Sequence, residues 1–464
     1  MEWLQDAPVT TAVSTPTAGI TVDINAVRRE MHKDFRLAGK GDPFQHGYYD
    51  EYAGLEVDVD GILQPHLEKV ETLLDGGEVD TAVSLITAIF ESFIDGLTDL
   101  DEWVYEYNED VFSEGNLELG AALAEIILSQ TLNSTQEDEW RAQITDWEAA
   151  LDDLDIATMA LEHGWTYPPL VAAMEGNITE KGAWEDEAPY FADELSLARL
   201  RILARQGRTE AYINLAAAEG KVELSTNMLA ESGKVSQAVS EAKSYLVYPK
   251  EILSLGYVLV RKGEVEAALD IAEHGLNLEQ DMGKAELAQW TRDQAKAAQN
   301  HDLALQAAQV AFMSSRDLAD YQAVQQLSGQ QWPAIQTLLL QNLQQSGQVS
   351  KKIDIYLHEN MLLEAMHALD ADGFFYDRDI HRVIEATSET HPNWGISKCK
   401  RKAEAIMDAG RAKDYETAVS WLRIAKEIYQ QHQRQQEWQT YLEELLTSHQ
   451  RKYKLVPMLR NIRS

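Results

Sequence analysis

The sequence predicts an all-α fold, a tetratricopeptide-like helical-repeat solenoid with a C-terminal capping helix. Three observations lead there. Apolar residues recur at helical spacing almost throughout, almost no stretch reads as a strand, and turn residues return at Gly207, Gly233, Gly263, about Gln299, Gly329 and about Asn360. The steps between them are roughly 26 to 36 residues, uneven but close to the ~34 of a tetratricopeptide repeat. One such hairpin cannot bury its apolar face alone. Copies must stack, and the surface they form suits binding better than chemistry.

The clearest unit runs from Ile252 to Gln280, where Leu255-Gly256, Leu259, Gly263, Ala268, Ala272 and Gly275-Leu276 fall at hairpin offsets. Gly256 and Ala268 let two antiparallel helices approach closely, Gly263 suits a turn that needs φ > 0, and Leu259 with Ile271 fills the seam. Matching pairs follow the other turns: Tyr212 and Ala216, Ala238 and Ala242, Ala304 and Ala308, Ala334 and Leu338, Ala365 and Leu369.

Ahead of the repeat, residues 1–22 are rich in Thr, Pro and Ala and read as a flexible leader. Residues 23–188 form an acidic helical domain. Its first stripe is Ile24, Val27, Met31 and Phe35, and its first hairpin joins helices near Leu63 and Val79 through Gly76-Gly77. Further helical patterns begin near Asn116, Glu137 and Ile156. Pro168-Pro169 interrupts, and Gly176 to Pro189 reads as a polar connection between two halves. Repeats fill 189–413. Amphipathic patterns from Tyr415 and from Trp438 make a cap at 414–464 that closes the open end.

Charge narrows the function. The 464 residues carry 40 basic and 77 acidic side chains, a formal charge of −37. Residues 1–200 hold 9 Lys or Arg against 43 Asp or Glu, whereas residues 395–464 hold 14 against 8. Nucleic acid is therefore repelled by the first part and tolerated only by the last. With Cys399 alone, no intramolecular disulfide and no multi-cysteine metal site can form, which fits a reducing compartment. No run of about eighteen apolar residues and no basic-then-apolar leader occurs, so the expected location is the cytoplasm.

Several candidate sites have plain structural readings. Glu56-x-Asp58-x-Asp60-Gly61 approaches a calcium loop, but Leu67 stands where a bidentate Glu is needed, so a solvated acidic turn is expected. His163, His274 and His449 fall at helix ends, where imidazole caps carbonyls. No GxSxG and no phosphate-loop motif is present. Two basic clusters stand out: Lys398, Lys400, Arg401 and Lys402, and Arg451, Lys452 and Lys454. They suit phosphate or an acidic protein surface, or else pair with the chain's own carboxylates. Trp438 and Tyr441 follow the helix period and are expected in the core of the cap.

Trp438, Tyr441-Leu442, Leu445, His449, Arg451-Lys452, Lys454-Leu455 and Met458-Leu459, preceded by Asp414-Tyr415 and Ala418 to Leu422, form a recognisable pattern. It resembles the C-terminal helical region of prokaryotic SWIM zinc finger family proteins, and the likeness extends upstream through Tyr48 to Leu55, Val57 to Gly61 and the helices around Gly77, over most of residues 24–464. The resemblance implies a helical-repeat body normally attached to a zinc finger of three cysteines and a histidine, in proteins of DNA transactions with helicase-like ATPases. This chain lacks that finger, so neither zinc nor finger-mediated DNA binding carries over. The expectation is a non-catalytic protein-protein interaction scaffold or adaptor in a DNA-processing assembly, without cofactor or metal, its partner a helicase-like ATPase or a zinc finger subunit. Direct nucleic-acid binding by the basic C-terminal face is the alternative, and an enzyme with no recognisable motif is the third reading.

Overall fold

All six turn positions have positive φ in the computed structural model, which describes residues 22–38, 57–100, 108–151, 154–371 and 377–463. Gly207, Gly233, Gly263 and Gly329 have φ of 65°, 84°, 84° and 49°, and Gln299 and Asn360 have 60° and 55°. Such a residue ends a helix by turning its amides back onto the last carbonyls. At Gly263 its own N–H donates to Val260 O and that of Glu264 to Leu259 O, each at 2.9 Å. The described residues are helical almost throughout and include no strand.

The chain divides into two compact units, residues 1–246 with 254–271, and residues 247–253 with 272–464. The division falls inside the hairpin Pro249–Arg261 and Val265–Leu276. It does not fall at 188, where the Gly176 to Pro189 connection was expected to separate two halves. That connection is bound into the first unit: the Glu219 carboxylate accepts from Ala183 N at 2.6 Å and from Trp184 Nε1 at 3.0 Å.

In the first unit, Ile24–Ala38, Val59–Asp75, Val79–Thr98 and Glu109–Ser129 are long helices around an aromatic core. Phe93 meets Phe35 and Phe112 edge to face, and Phe90 stacks on Trp147 at 4.2 Å. Gly96 is needed because a Cβ there would lie 2.4 Å from the Phe35 ring. By length and apolar content Val79–Thr98 would also pass for a membrane span, yet its Leu85, Ile86, Ile89, Phe90 and Phe93 are fully buried core residues.

The two prolines at 168 and 169 begin a helix, Pro168–Met174, because its first turn needs no backbone donor. Beyond the connection come four short helices, Ala192–Arg205, Thr209–Ala218, Val222–Glu231 and Val235–Tyr245. Their turns lie at Gly207, Gly220 and Gly233, so Gly220, with φ 68°, is a turn that the spacing alone did not single out. Their seams are built on Ala216, Ala230, Ala238 and Ala242, all fully buried.

The second unit continues in the same manner, with Ala288, Ala295, Ala304 and Ala308 buried in the hairpin Lys284–Ala297 and His301–Ser315. It ends in a cap of three helices, Tyr415–Gln431, Gln435–Ser448 and Leu455–Arg463. The last of these adds to the two expected: Leu455, Leu459 and Ile462 seal it onto the core that holds Trp421, Trp438 and Tyr441.

Across both units, cations reach carboxylates one hairpin away. Lys221 pairs with Asp193, Lys234 with Glu210, Lys243 with Asp270 and Arg261 with Glu231. In the second unit Arg292 pairs with Asp320, Lys351 with Asp317 and Arg382 with Asp354. Stacked copies put equivalent helix faces side by side, so this ladder follows from the repeat.

Candidate functional site

The two basic clusters lie on different elements. The first occupies the middle of the helix Pro392–Asp408, and the second the turn between Gln435–Ser448 and Leu455–Arg463. The fold brings them towards each other. Lys452 Nζ donates to the carbonyl of Met407, and His449 Nε2 lies 3.8 Å from Asp408, so the 449–454 turn sits against the C-terminal end of Pro392–Asp408. A cation there complements the free carbonyls of a helix end.

The seven side chains then divide by role. Lys398 is buried, pairs with Asp370 at 2.6 Å and lies 5.5 Å from the Trp394 ring centroid. Lys402 pairs with Asp377 at 2.9 Å, continuing the ladder. Lys400 lies over the ring of Tyr441, 3.6 Å from its centroid, while the Tyr441 hydroxyl donates to Glu404 at 2.7 Å. Burial pushes the Tyr441 hydroxyl pKa up, so it stays a donor. Lys452 caps a helix. Arg401, Arg451 and Lys454 are exposed and make no ion pair among the described residues. Tyr453, between two of them, is 80% exposed.

Sequence reasoning missed Lys413, which is exposed in the short turn after Pro392–Asp408 and so belongs to the same end. Its signal is its place three residues after Gly410, the residue that ends that helix with φ 73°.

The remaining candidates have structural work. Asp58 is the N-cap of Val59–Asp75 and accepts from Gly61 N at 2.9 Å. Gly61 makes room for that cap, since a Cβ would lie 2.3 Å from the Asp58 carboxylate. The expected acidic turn is therefore the start of a helix, and Glu56 lies outside the described residues. No group of three or more His, Cys, Asp or Glu converges among the described residues. His163 ends its helix but does not cap it: the ring stacks on Tyr167 at 3.9 Å and Nδ1 has no partner.

No family model matches the chain, and no curated protein does. Among solved structures it is similar to a circular tandem repeat protein with novel repeat topology and enhanced subunit contact surfaces, at 13% identity over 95% of each chain, with a TM-score of 0.14. So low a score carries no argument, and the helical-repeat fold rests on the helices and turns themselves. That fold is compatible with a scaffold or interaction role.

Proposed function

We propose that the protein is a non-catalytic interaction scaffold whose C-terminal cationic end meets an acidic protein surface. The exposed, unpaired Arg401, Arg451 and Lys454, with the exposed Tyr453 between the last two, carry this reading, because the chain's other cations so often have a carboxylate one hairpin away and these have none. On a chain of formal charge −37, a local positive end orients an approaching acidic partner. The resemblance to SWIM zinc finger family proteins suggests the setting, a DNA-processing assembly in which a helicase-like ATPase or a zinc finger subunit is a separate chain.

Tyr453 favours a second reading, direct contact with single-stranded nucleic acid, since an exposed ring among cations offers a base a stacking surface. The two readings separate in one experiment. Affinity capture from the native organism followed by mass spectrometry names the partner, and its association rate is then measured against salt for the wild type and for a triple variant, Arg401→Glu, Arg451→Glu and Lys454→Glu. The expected outcome is slower, less salt-sensitive association of the variant. Equal rates refute the steering role, and salt-dependent DNA retention by the wild type alone replaces the protein partner with nucleic acid.

A further inference from the structure

The helix Ala192–Arg205 carries an arginine where its period calls for an apolar residue. Leu195 and Ile202 belong to an apolar cluster with Leu128, Ala160, Trp184 and Phe191, and Arg199 lies between them on the same face, 0% exposed. Its Nε, Nη1 and Nη2 have no hydrogen-bond acceptor at all. A buried guanidinium left so is strongly unfavourable, because each lost water bond goes unreplaced.

Glu219 does not fill that need. Its oxygens already accept from Ala183 N, Trp184 Nε1 and Ser196 Oγ at 2.6, 3.0 and 2.7 Å, and it forms no ion pair with Arg199. The Trp184 ring lies over the guanidinium, with Cζ 5.6 Å from its centroid. A second orphan comes from a different helix: Nδ1 of His163, buried and unpartnered, on a ring stacked against Tyr167. Burial, and after it the charge on Arg199, holds the His163 imidazole below its usual pKa.

We infer that Arg199, buried against the Trp184 ring, holds a small oxyanion, a carboxylate or inorganic phosphate, whose oxygens accept from its guanidinium and from His163. The planar guanidinium fork matches two oxygens of either ligand, and His163 as the Nδ1–H tautomer donates a further bond. Burial pulls the Arg199 pKa down to about 10, which leaves it charged at neutral pH.

The cover is the non-helical stretch 175–191. Glu219 fastens it through Ala183 and Trp184, and the Tyr167 hydroxyl accepts from Glu185 N at 3.0 Å. Gly182 permits the tight closure: its φ is 62°, and a Cβ would lie 2.4 Å from the Glu219 carboxylate. Exposed Glu185, Asp186 and Glu187 oppose an anion on the way in, so binding is measured at 0.15 M ionic strength, where the Debye length is about 8 Å.

The test compares sodium phosphate, sodium acetate and sodium chloride at that fixed ionic strength, by thermal melting and isothermal titration of the full chain. Phosphate or acetate is expected to raise the melting temperature saturably and chloride to leave it unchanged; whichever anion acts identifies the ligand class. Arg199→Met should abolish the rise. Should that variant not fold, His163→Phe serves instead, with binding weaker by about tenfold or more through loss of one charged hydrogen bond. No saturable effect, an equal effect in wild type and variants, or a crystal structure grown in phosphate with ordered water alone at Arg199 overturns the inference.

Discussion

Between the short-helix repeat and the C-terminal cap, the same residue types do different work. Lys221, Lys234, Lys243 and Arg261 each meet a carboxylate on the neighbouring hairpin. Towards the C-terminal end, Lys402 on Pro392–Asp408 still follows that rule with Asp377, but Arg401 on the same helix and Arg451 and Lys454 in the cap do not. The repeat also packs differently. Its seams are alanines, whereas the cap buries Trp421, Trp438 and Tyr441. A regular array neutralises its own charge and needs small residues where helices meet, whereas the C-terminal helices, which do not repeat the short-helix pattern, keep neither rule throughout.

The largest expected effect lies in the cap's core. Trp421 is 1% exposed and stacks on His381 at 4.1 Å. Replacing it with alanine should cost about 3–5 kcal/mol, because the large cavity cannot collapse in a dense interior. Chemical denaturation of the full chain measures it. A loss under about 1 kcal/mol would show that the cap tolerates voids, and the contrast with the alanine seams would fall.

Turns come next. Gly263 has φ 84°, and nothing lies within 4 Å of a built Cβ, so Gly263→Val isolates backbone strain and should cost about 1–3 kcal/mol. Gln299 holds the same left-handed conformation without being glycine. Gln299→Gly should therefore stabilise, by no more than about 1 kcal/mol, since strain is relieved while the unfolded chain gains freedom. Opposite signs in the two melting curves support the shared turn geometry; matching signs would break it.

These turns also mark what the sequence made legible. Glycines and the non-glycines Gln299 and Asn360 could be placed from spacing because a left-handed residue is required wherever a short helix stops and the chain reverses. The boundary of the units was not legible. Gly176 to Pro189 has the composition of a linker, yet one distant carboxylate, Glu219, binds it into the first unit. The cationic site was half legible: composition located the residues, but which heads stay free depends on partners such as Asp370, Asp377 and the Met407 carbonyl, contributed by other elements. Arg199 was overlooked although its position between Leu195 and Ile202 broke the helical pattern in plain view.

A smaller effect belongs to the ladder. Lys234 pairs with Glu210 at 2.6 Å, but the side chains are 40% and 70% exposed. Solvent screens such a pair, so Lys234→Glu should change stability by less than about 1 kcal/mol. A greater loss, one that persists at 1 M salt, would mean that the ladder holds the hairpins together and is not a by-product of their stacking.

The smallest effect on stability is expected at Arg451 and Lys454, and the residue between them in role is Lys452. All three read alike in the sequence, but only Lys452 has a structural partner, the Met407 carbonyl at a helix end. Charge at that place is favourable by about 0.3–1 kcal/mol through the helix dipole. Lys452→Met keeps the side-chain length and removes the charge and the bond, so it should lower the melting temperature slightly and leave partner association unchanged. Arg451→Glu with Lys454→Glu should do the reverse, leaving the melting curve in place and slowing association. Should the double variant melt lower and associate normally, those two cations secure the last turn, and the difference drawn between the repeat and the cap would be one of packing alone.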